Sequence, residues 1–265
     1  MPSASLTTSS DALGQRFARL AARGRKALVV YITAGHPDPA QSVELVAGLA
    51  RAGADVIEVG VPFSDPLADG PIIQASSQRA LEQGVTFDRA LQIIARGRSS
   101  APVVLFTYLN PLLAAGPEAL ARAADAGASG LLVTDLPVGA DPELETRLGK
   151  GSLAFVRLVA PTTPVERMAE IARHGKGFVY LISRLGVTGV RTDIPRELPA
   201  TVERLRSVTS LPICVGFGIS RPEQASAVGR LADGVVVGSA VVRAAEHSVA
   251  SALELVSSLR AALDS

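Results

Sequence analysis

The sequence predicts a single closed (β/α)8 TIM barrel with an extra N-terminal helix, and three observations carry that expectation. Eight short β-branched or apolar runs alternate with longer Ala/Leu/Arg/Glu segments of helical period, which is the sequence form of βα units repeated on parallel strands. A Gly-bearing turn recurs just before several of these runs. No G-x-G-x-x-G follows the first run, which disfavours the alternative of an open doubly wound sheet.

Taken in order, residues 1–10 are expected to be a disordered tail and residues 11–265 the barrel domain with its leading helix. Asp11 to Arg23 is amphipathic, with Leu13, Phe17, Leu20 and Ala21 placed to cover the barrel floor. The first strand is Ala27 to Thr33, and the helix after it, Ser42 to Ala50, puts Leu45, Val46 and Leu49 on one face. Ala52-Gly53-Ala54-Asp55 leads into the second strand, Val56 to Gly60, and the third is Val103 to Phe106. A helix over Leu120 to Ala126 ends in Ala126-Gly127-Ala128-Ser129 before the fourth strand, Leu131 to Thr134. Ala154 to Val159 is the fifth strand. His174-Gly175-Lys176-Gly177 precedes the sixth, Phe178 to Ile182, and Ile213 to Gly216 is the seventh. Leu231-Ala232-Asp233-Gly234 opens the eighth, Gly234 to Val237. In each of these turns a Gly can end the helix in the left-handed conformation before the chain turns inward.

With 48% hydrophobic and 19% charged residues and no polar linker, the 265-residue chain can bury one barrel-sized core. A net charge of +1 leaves no electrostatic footprint for nucleic acid or an anionic membrane. A small molecule or another protein is the expected partner. The single cysteine, Cys214, lies in an apolar run and is expected to be reduced, buried and inert. The first residues lack the basic-then-apolar order of a secretory signal, and the longest uncharged run, Ser99 to Pro117, is broken by Pro102, Asn110 and Pro111. A cytoplasmic location is the expectation.

Barrels of this kind work at the C-terminal ends of their strands, so the loops there are where chemistry is expected. Glu58 sits inside the second strand, and a carboxylate in an apolar strand costs several kcal/mol unless it is paired, solvated or given a task. The loop behind it, Val61-Pro62-Phe63-Ser64-Asp65-Pro66-Leu67-Ala68-Asp69-Gly70-Pro71, is dense in turn formers and holds Asp69 across the mouth from Glu58. Two carboxylates in unlike environments can divide acid and base roles. The bland alternative is an internal arginine pairing Glu58 and Asx turns occupying the aspartates, Asp65 above all. The loop Ser183 to Asp193 is long and glycine-bearing, as lids are. Gly218, Gly238 and Ser239, after the last two strands, let backbone N–H groups and a helix N-terminus approach a phosphate. Ser220-Arg221-Pro222-Glu223 reads as a capping box instead. Lys26, Lys150 and Lys176 fall before strands or in helix-to-strand connections, and His36, His174 and His247 are scattered without ligand spacing, so neither an imine lysine nor a His-based metal site is expected. His36 is expected to be a solvated loop residue.

The run from Glu58 to Pro71 resembles the active-site signature of the tryptophan synthase alpha subunit family, as do Thr33-Ala34-Gly35, Tyr108-Leu109-Asn110-Pro111, Asp135-Leu136-Pro137, Ala160-Pro161-Thr162-Thr163, Gly186-Val187-Thr188-Gly189 and Gly216-Phe217-Gly218-Ile219-Ser220. The resemblance implies a barrel that cleaves indole-3-glycerol phosphate by a retro-aldol step to indole and glyceraldehyde 3-phosphate. It implies that Glu58 protonates indole carbon 3 and that Asp69 pairs with the indole N–H. It also implies that Gly189, Gly218, Gly238 and Ser239 hold phosphate, that Tyr31 and Tyr180 flank the ring, and that Thr188 is a lid residue meeting Asp69. No metal and no cofactor are implied for this chain. A beta subunit carrying pyridoxal phosphate is the implied partner, in an alpha2beta2 complex docked on Pro62, Asp65 and Tyr108 to Gly116. Two departures stand out: His36 where many relatives have Asp, and Gly139-Ala140 in place of an acidic pair. The alternatives are a stand-alone lyase releasing free indole, a silent barrel serving as an allosteric partner, and another phosphate-binding barrel such as an isomerase or aldolase.

Overall fold

A computed structural model of the chain describes residues 11–183, 195–216 and 218–265. Its apolar runs pair in chain order, all parallel, into a closed barrel β1-β2-β3-β4-β5-β6-β7-β8. The strands are β1 (Ala27–Thr33), β2 (Val56–Gly60), β3 (Val103–Thr107), β4 (Ala128–Val133), β5 (Ala154–Val159), β6 (Val179–Ile182), β7 (Ile213–Gly216) and β8 (Gly234–Val237). Ahead of β1 lies α1 (Ala12–Ala21), and α2 (Pro39–Leu49) leads to β2. Between β2 and β3 come α3 (Pro71–Glu82) and α4 (Phe87–Gly97), and between β3 and β4 come α5 (Leu109–Ala114) and α6 (Ala119–Asp125). The remaining helices are α7 (Pro142–Gly149), α8 (Val165–Arg173), α9 (Leu198–Arg206), α10 (Pro222–Gly229), α11 (Ser239–His247) and α12 (Val249–Asp264). None is long and apolar enough to cross a membrane.

Because both faces of each strand are covered, the strands read as continuous apolar runs rather than alternating ones. Period 2 still sorts their side chains. Leu28, Val30, Ile32, Ile57 and Val59 face the helices, while Ala27, Val29, Val56, Val104, Leu132, Val156, Cys214 and Val236 fill the barrel. The lower end of that inner layer is plugged by Leu13, Phe17 and Leu20 of α1, with Phe17 tilted against Phe178 at 5.4 Å between ring centroids. Ala21, expected on the same face, is exposed. Burial holds the Cys214 thiol well above its ordinary pKa.

Several helix starts follow from the residues in front of them. Asp38 accepts the Gln41 N–H at 2.9 Å ahead of α2, Thr86 accepts from Arg89 ahead of α4, and Asp141 accepts from Leu144 ahead of α7, the usual work of N-cap side chains. Ahead of α10 the capping role differs from expectation. The side chain that reaches back is Gln224, whose Oε1 accepts the N–H groups of Ser220 and Arg221 at 3.0 and 3.2 Å, and not that of Glu223. The fourth strand also begins earlier than expected, at Ala128. The small residues Ala128-Ser129-Gly130 imitate a turn, yet a Cβ on Gly130 would lie 2.7 Å from Leu13 Cδ1. The strand is therefore built of small residues where α1 packs against it.

Two aspartates seal the strand starts. Asp55, just before β2, accepts the Leu28 N–H of β1 at 3.0 Å, and Asp233, just before β8, accepts the Ile213 N–H of β7 at 2.8 Å. Asp55 also pairs with Arg260 of α12 at 3.1 Å, and the same Arg260 nitrogen donates to the Lys26 carbonyl at 2.8 Å. Both side chains of the pair are buried. Removing one member of a buried pair strands the other, so Asp55→Ala is expected to lower the unfolding free energy by about 3 kcal/mol. Urea unfolding of the variant measures this, and a change of under about 1 kcal/mol would show the pair to be only a surface-grade contact.

Candidate active site

The inner layer changes character at the C-terminal ends of the strands. Tyr31 of β1 pairs in register with Glu58 of β2, and Gly60 with Phe106 of β3. Tyr31, Glu58, Phe106 and Tyr180 then line one cavity of about 410 Å³, closed on its other sides by Asp69, Ile72 and Ile73, by Gly218 and Ile219, and by Gly238, Ser239 and Arg243. That volume lies in the range of small-molecule sites, and so does the mix of an apolar lining with a few convergent polar groups.

Glycines make this mouth possible. A Cβ on Gly60 would stand 2.1 Å from Tyr31 Oη, and one on Gly216 would stand 2.6 Å from Tyr180 Oη. The two tyrosines lie over strand positions stripped of side chain, which turns their rings into walls of the cavity. Tyr31 also packs edge-on to Phe106 at 5.1 Å, and burial holds both phenols well above their ordinary pKa.

Glu58 is fully buried, and neither of its carboxylate oxygens has a hydrogen-bond partner among the described residues. The internal arginine weighed as its partner is elsewhere. Arg157 points outward from β5 and pairs with Glu145 of α7 at 2.9 Å. Desolvation with nothing to offset it raises the Glu58 pKa to about 8, so at neutral pH the group is mainly the acid form.

Asp69 closes the loop after β2 and is half-buried. Burial pushes its pKa up to about 6, against the pull of Tyr108, whose hydroxyl donates to Asp69 Oδ2 at 3.0 Å. Tyr108 Oη in turn accepts the Ala68 N–H at 2.9 Å, and the Asp69 N–H donates to the Pro66 carbonyl at 3.0 Å. The loop is thus pinned to the end of β3 by a residue that sequence reasoning placed only in a partner-contacting segment. The available signal was position: Tyr108 directly follows β3, on the working face. Asp65 is exposed.

The corner expected to receive phosphate holds Gly218, which adopts φ +83°, and Gly238 and Ser239 at the start of α11. Gly238 gives its carbonyl to the Val241 and Val242 N–H groups at 2.8 and 3.0 Å, and the first N–H groups of such a helix have no intrahelical acceptor. Thr188 and Gly189, and residues 184–193 of the segment expected to form a lid, lie outside the described residues. Pro71, Ile72, Ile73, Phe106, Ile219, Ala240 and Arg243 also line the cavity and were not singled out from sequence as site residues, and Ser220, read there as part of a capping box, lines it too. Most come from α3 and α11, whose approach to the mouth depends on packing.

One expectation is corrected. His36 is not solvated: it is 2% exposed, with both ring nitrogens unpartnered among the described residues and Nε2 3.9 Å from Glu246 of α11. Burial lowers its pKa against the opposing pulls of Glu246 and the Val242 carbonyl. The loop after β1 folds back under α11, which an isolated Gly-His-Pro turn does not announce. The other departure, Gly139, adopts φ +86° and donates its N–H to the buried Glu145 at 2.6 Å.

Fold and site together define the class, a (β/α)8 barrel in which two carboxyl groups and the N-terminus of α11 share one cavity at the C-terminal face of the strands. Comparison with known proteins takes this further. The family model for the tryptophan synthase alpha chain matches residues 17–264. The tryptophan synthase alpha chain of Citrifermentans bemidjiense is 50% identical over 87% of this chain and 88% of its own, and that of Laribacter hongkongensis is 47% identical over 95% and 98%. Among solved structures, an open form of tryptophan synthase from M. tuberculosis superposes with a TM-score of 0.88 at 33% identity, covering 96% of this chain and 99% of that one. The alpha subunit from Legionella pneumophila str. Paris superposes with a TM-score of 0.87 at 36% identity, covering 96% and 98%. The chain belongs to the tryptophan synthase alpha chain family.

Holding Glu58 protonated has a sign that stability measurements can read. Its folded pKa, about 8, exceeds the ordinary value of 4.5, so between those limits the folded state binds more protons than the unfolded chain and loses stability as pH rises. Glu58→Gln keeps the shape without the titration. The variant is expected to match the parent near pH 4.5 and to be increasingly more stable than it up to about pH 8. A constant difference across that window in denaturant unfolding would mean that Glu58 is not held in the acid form.

Proposed function

We propose that this chain cleaves indole-3-glycerol phosphate, by a retro-aldol step, to indole and glyceraldehyde 3-phosphate. The observation that carries the reading is the unpartnered Glu58 carboxyl inside the same cavity as Asp69 and the α11 N-terminus. Family membership supports it.

Glu58, in its acid form, delivers a proton to indole carbon 3. The ring becomes an indoleninium whose N–H bears positive charge, and the Asp69 carboxylate accepts that N–H and stabilises it. The bond from carbon 3 to the glycerol side chain then breaks, its electrons return to the ring, and the carbinol hydroxyl loses its proton as the aldehyde forms. Glu58, left as the carboxylate, is the base for that proton and so regains its starting form. The two carboxyl groups begin in different states because their pKa values, about 8 and about 6, lie on either side of neutrality. Tyr31, Tyr180 and Phe106 supply the ring walls, and Gly218, Gly238 and Ser239 receive the phosphate, with Gly189 and Thr188 assigned by the resemblance to phosphate and lid. No metal or cofactor takes part in this scheme.

The partner in this reading is a beta subunit carrying pyridoxal phosphate, which joins the indole to serine. Leu67, 84% exposed beside the Asp69 loop, and Leu113 of α5, 49% exposed, are large apolar side chains on the segments assigned to docking. They support a protein partner on that face. A stand-alone lyase makes the same use of the cavity and differs only in needing no partner.

Indole release from indole-3-glycerol phosphate by the purified chain, with and without a beta subunit, tests the proposal. Activity is expected to be weak alone and strongly raised by the partner. Full activity alone identifies the stand-alone lyase, and none under either condition overturns the reaction. Glu58→Gln and Asp69→Asn are each expected to lose about two to four orders of magnitude in turnover, the scale of a positioned acid or base. Near-normal turnover in either removes that residue from its role.

The pH profile of kcat/KM gives a further check. It should be bell-shaped, with the acid limb near Asp69's value of about 6 and the alkaline limb near Glu58's value of about 8. An alkaline limb that persists unchanged in Glu58→Gln would contradict the assignment.

A further inference from the structure

The phosphate corner as described has backbone N–H groups but too little charge. A helix N-terminus contributes only about half an elementary charge, while a phosphate ester is close to a dianion and would share this cavity with the Asp69 carboxylate. Arg243 is the one lysine or arginine among the described residues that lines the cavity. It stands four positions beyond Ser239 on α11, hence on the same face one turn in. Helical side chains lean toward the N-terminus and cover the turn before their own Cα, so an arginine at this position reaches back over the first turn, where Gly238 and Ser239 open the helix. Its guanidinium forms no hydrogen bond or ion pair with any described residue; the contact that a neighbouring side chain makes with it, His247 Nδ1 at 3.2 Å, falls on its backbone carbonyl. The acid one turn further along, Glu246, lies instead 3.9 Å from His36.

We infer that Arg243 is a phosphate-binding residue of this site, supplying the full positive charge that the glycine corner and the α11 N-terminus lack. The inference rests on the reading of the cavity as a phosphate-ester site. A guanidinium offers parallel N–H donors that match two phosphate oxygens. At the rim it can bind without being buried, so its contribution falls on substrate affinity and not on the chemical step.

Calorimetric titration of the full chain with glycerol 3-phosphate, and separately with indole, tests this in the parent, in Arg243→Gln and in Arg243→Lys. Arg243→Gln is expected to bind glycerol 3-phosphate about five- to twentyfold more weakly, the scale of a charge-assisted hydrogen bond at an exposed rim. Indole binding is expected to stay within about twofold and Arg243→Lys to recover part of the loss, since it restores the charge but not the paired donors. With the full substrate, KM should rise while kcat holds. Added salt should weaken glycerol 3-phosphate binding less steeply in Arg243→Gln than in the parent. Equal glycerol 3-phosphate affinity in parent and Arg243→Gln overturns the inference and leaves the proposed reaction standing. Parallel loss of indole and glycerol 3-phosphate binding also overturns it, by showing a structural role. A parent chain that binds no glycerol 3-phosphate and releases no indole removes the reading of the cavity and the inference with it.

Discussion

The Glu58 carboxyl is out of water, unpartnered among the described residues and held at the centre of a closed sheet, and the barrel mouth is arranged around that constraint. An ionised carboxylate in such a place is costly, and the group responds by keeping its proton. This outcome requires that nothing cationic reach it. The one arginine on the barrel strands, Arg157 of β5, is turned outward, over the Phe155 ring at 3.7 Å and onto Glu145. The arginines of the floor are occupied likewise, Arg260 with Asp55 and Asp264, and Arg206 with Asp233. Charge is therefore compensated around the outside and the base of the barrel, and Arg243, the one lysine or arginine lining the cavity among the described residues, leaves the Glu58 shift to desolvation alone.

Geometry adds to this isolation. The pleat that points Glu58 inward points Gly60 inward too, two residues on, and Tyr31 can cover Gly60 only because that position has no side chain. Across the mouth Gly216 does the same for Tyr180. Each tyrosine thus closes the layer just above the inner core and removes water from one side of the carboxyl. Large rings beside small strand residues fill the taper of a barrel without a void, and here the same packing sets the dielectric at the site. The fold and the pKa of Glu58 are in this sense one feature.

What could be read from the sequence follows the range of the interactions involved. The eight strands were legible because a run buried on both faces is apolar whatever lies beside it, and seven of them start within one residue of expectation. The fourth was not, because Gly130 is small on account of Leu13, more than a hundred residues earlier in the chain. Glu58 and Asp69 were legible as a local anomaly, a carboxylate in a strand followed by a loop whose conformation its prolines restrict. Tyr108 and His36 were not. The role of Tyr108 exists only once β2 and β3 lie side by side, and the burial of His36 only once α11 returns from the far end of the chain to cover β1. Asp55 and Asp233 looked like turn residues, and their service to the neighbouring strand's N–H depends on the register of the closed sheet.

The two carboxyl groups also differ in what holds them. Glu58 belongs to a central strand bonded on both sides, to β1 and β3, so the proposed proton donor is as rigid as the barrel itself. Asp69 belongs to a loop, and its side chain is held by the Tyr108 hydroxyl, which also secures the loop through Ala68. Tyr108 immediately precedes α5, and Phe63 of the same loop packs on its ring at 5.1 Å. The exposed Leu67 lies two residues before Asp69, and the exposed Leu113 lies on α5 itself. A protein seated on those leucines, as proposed for the partner, would press on both ends of the Tyr108–Asp69 bond and leave Glu58 where it is. The residue that responds to docking would then be the one proposed to stabilise charge in the transition state, and the residue proposed to supply the proton would stay constant. On the proposed reading, that division is how one barrel would be complete in its acid and still depend on a neighbour for its rate.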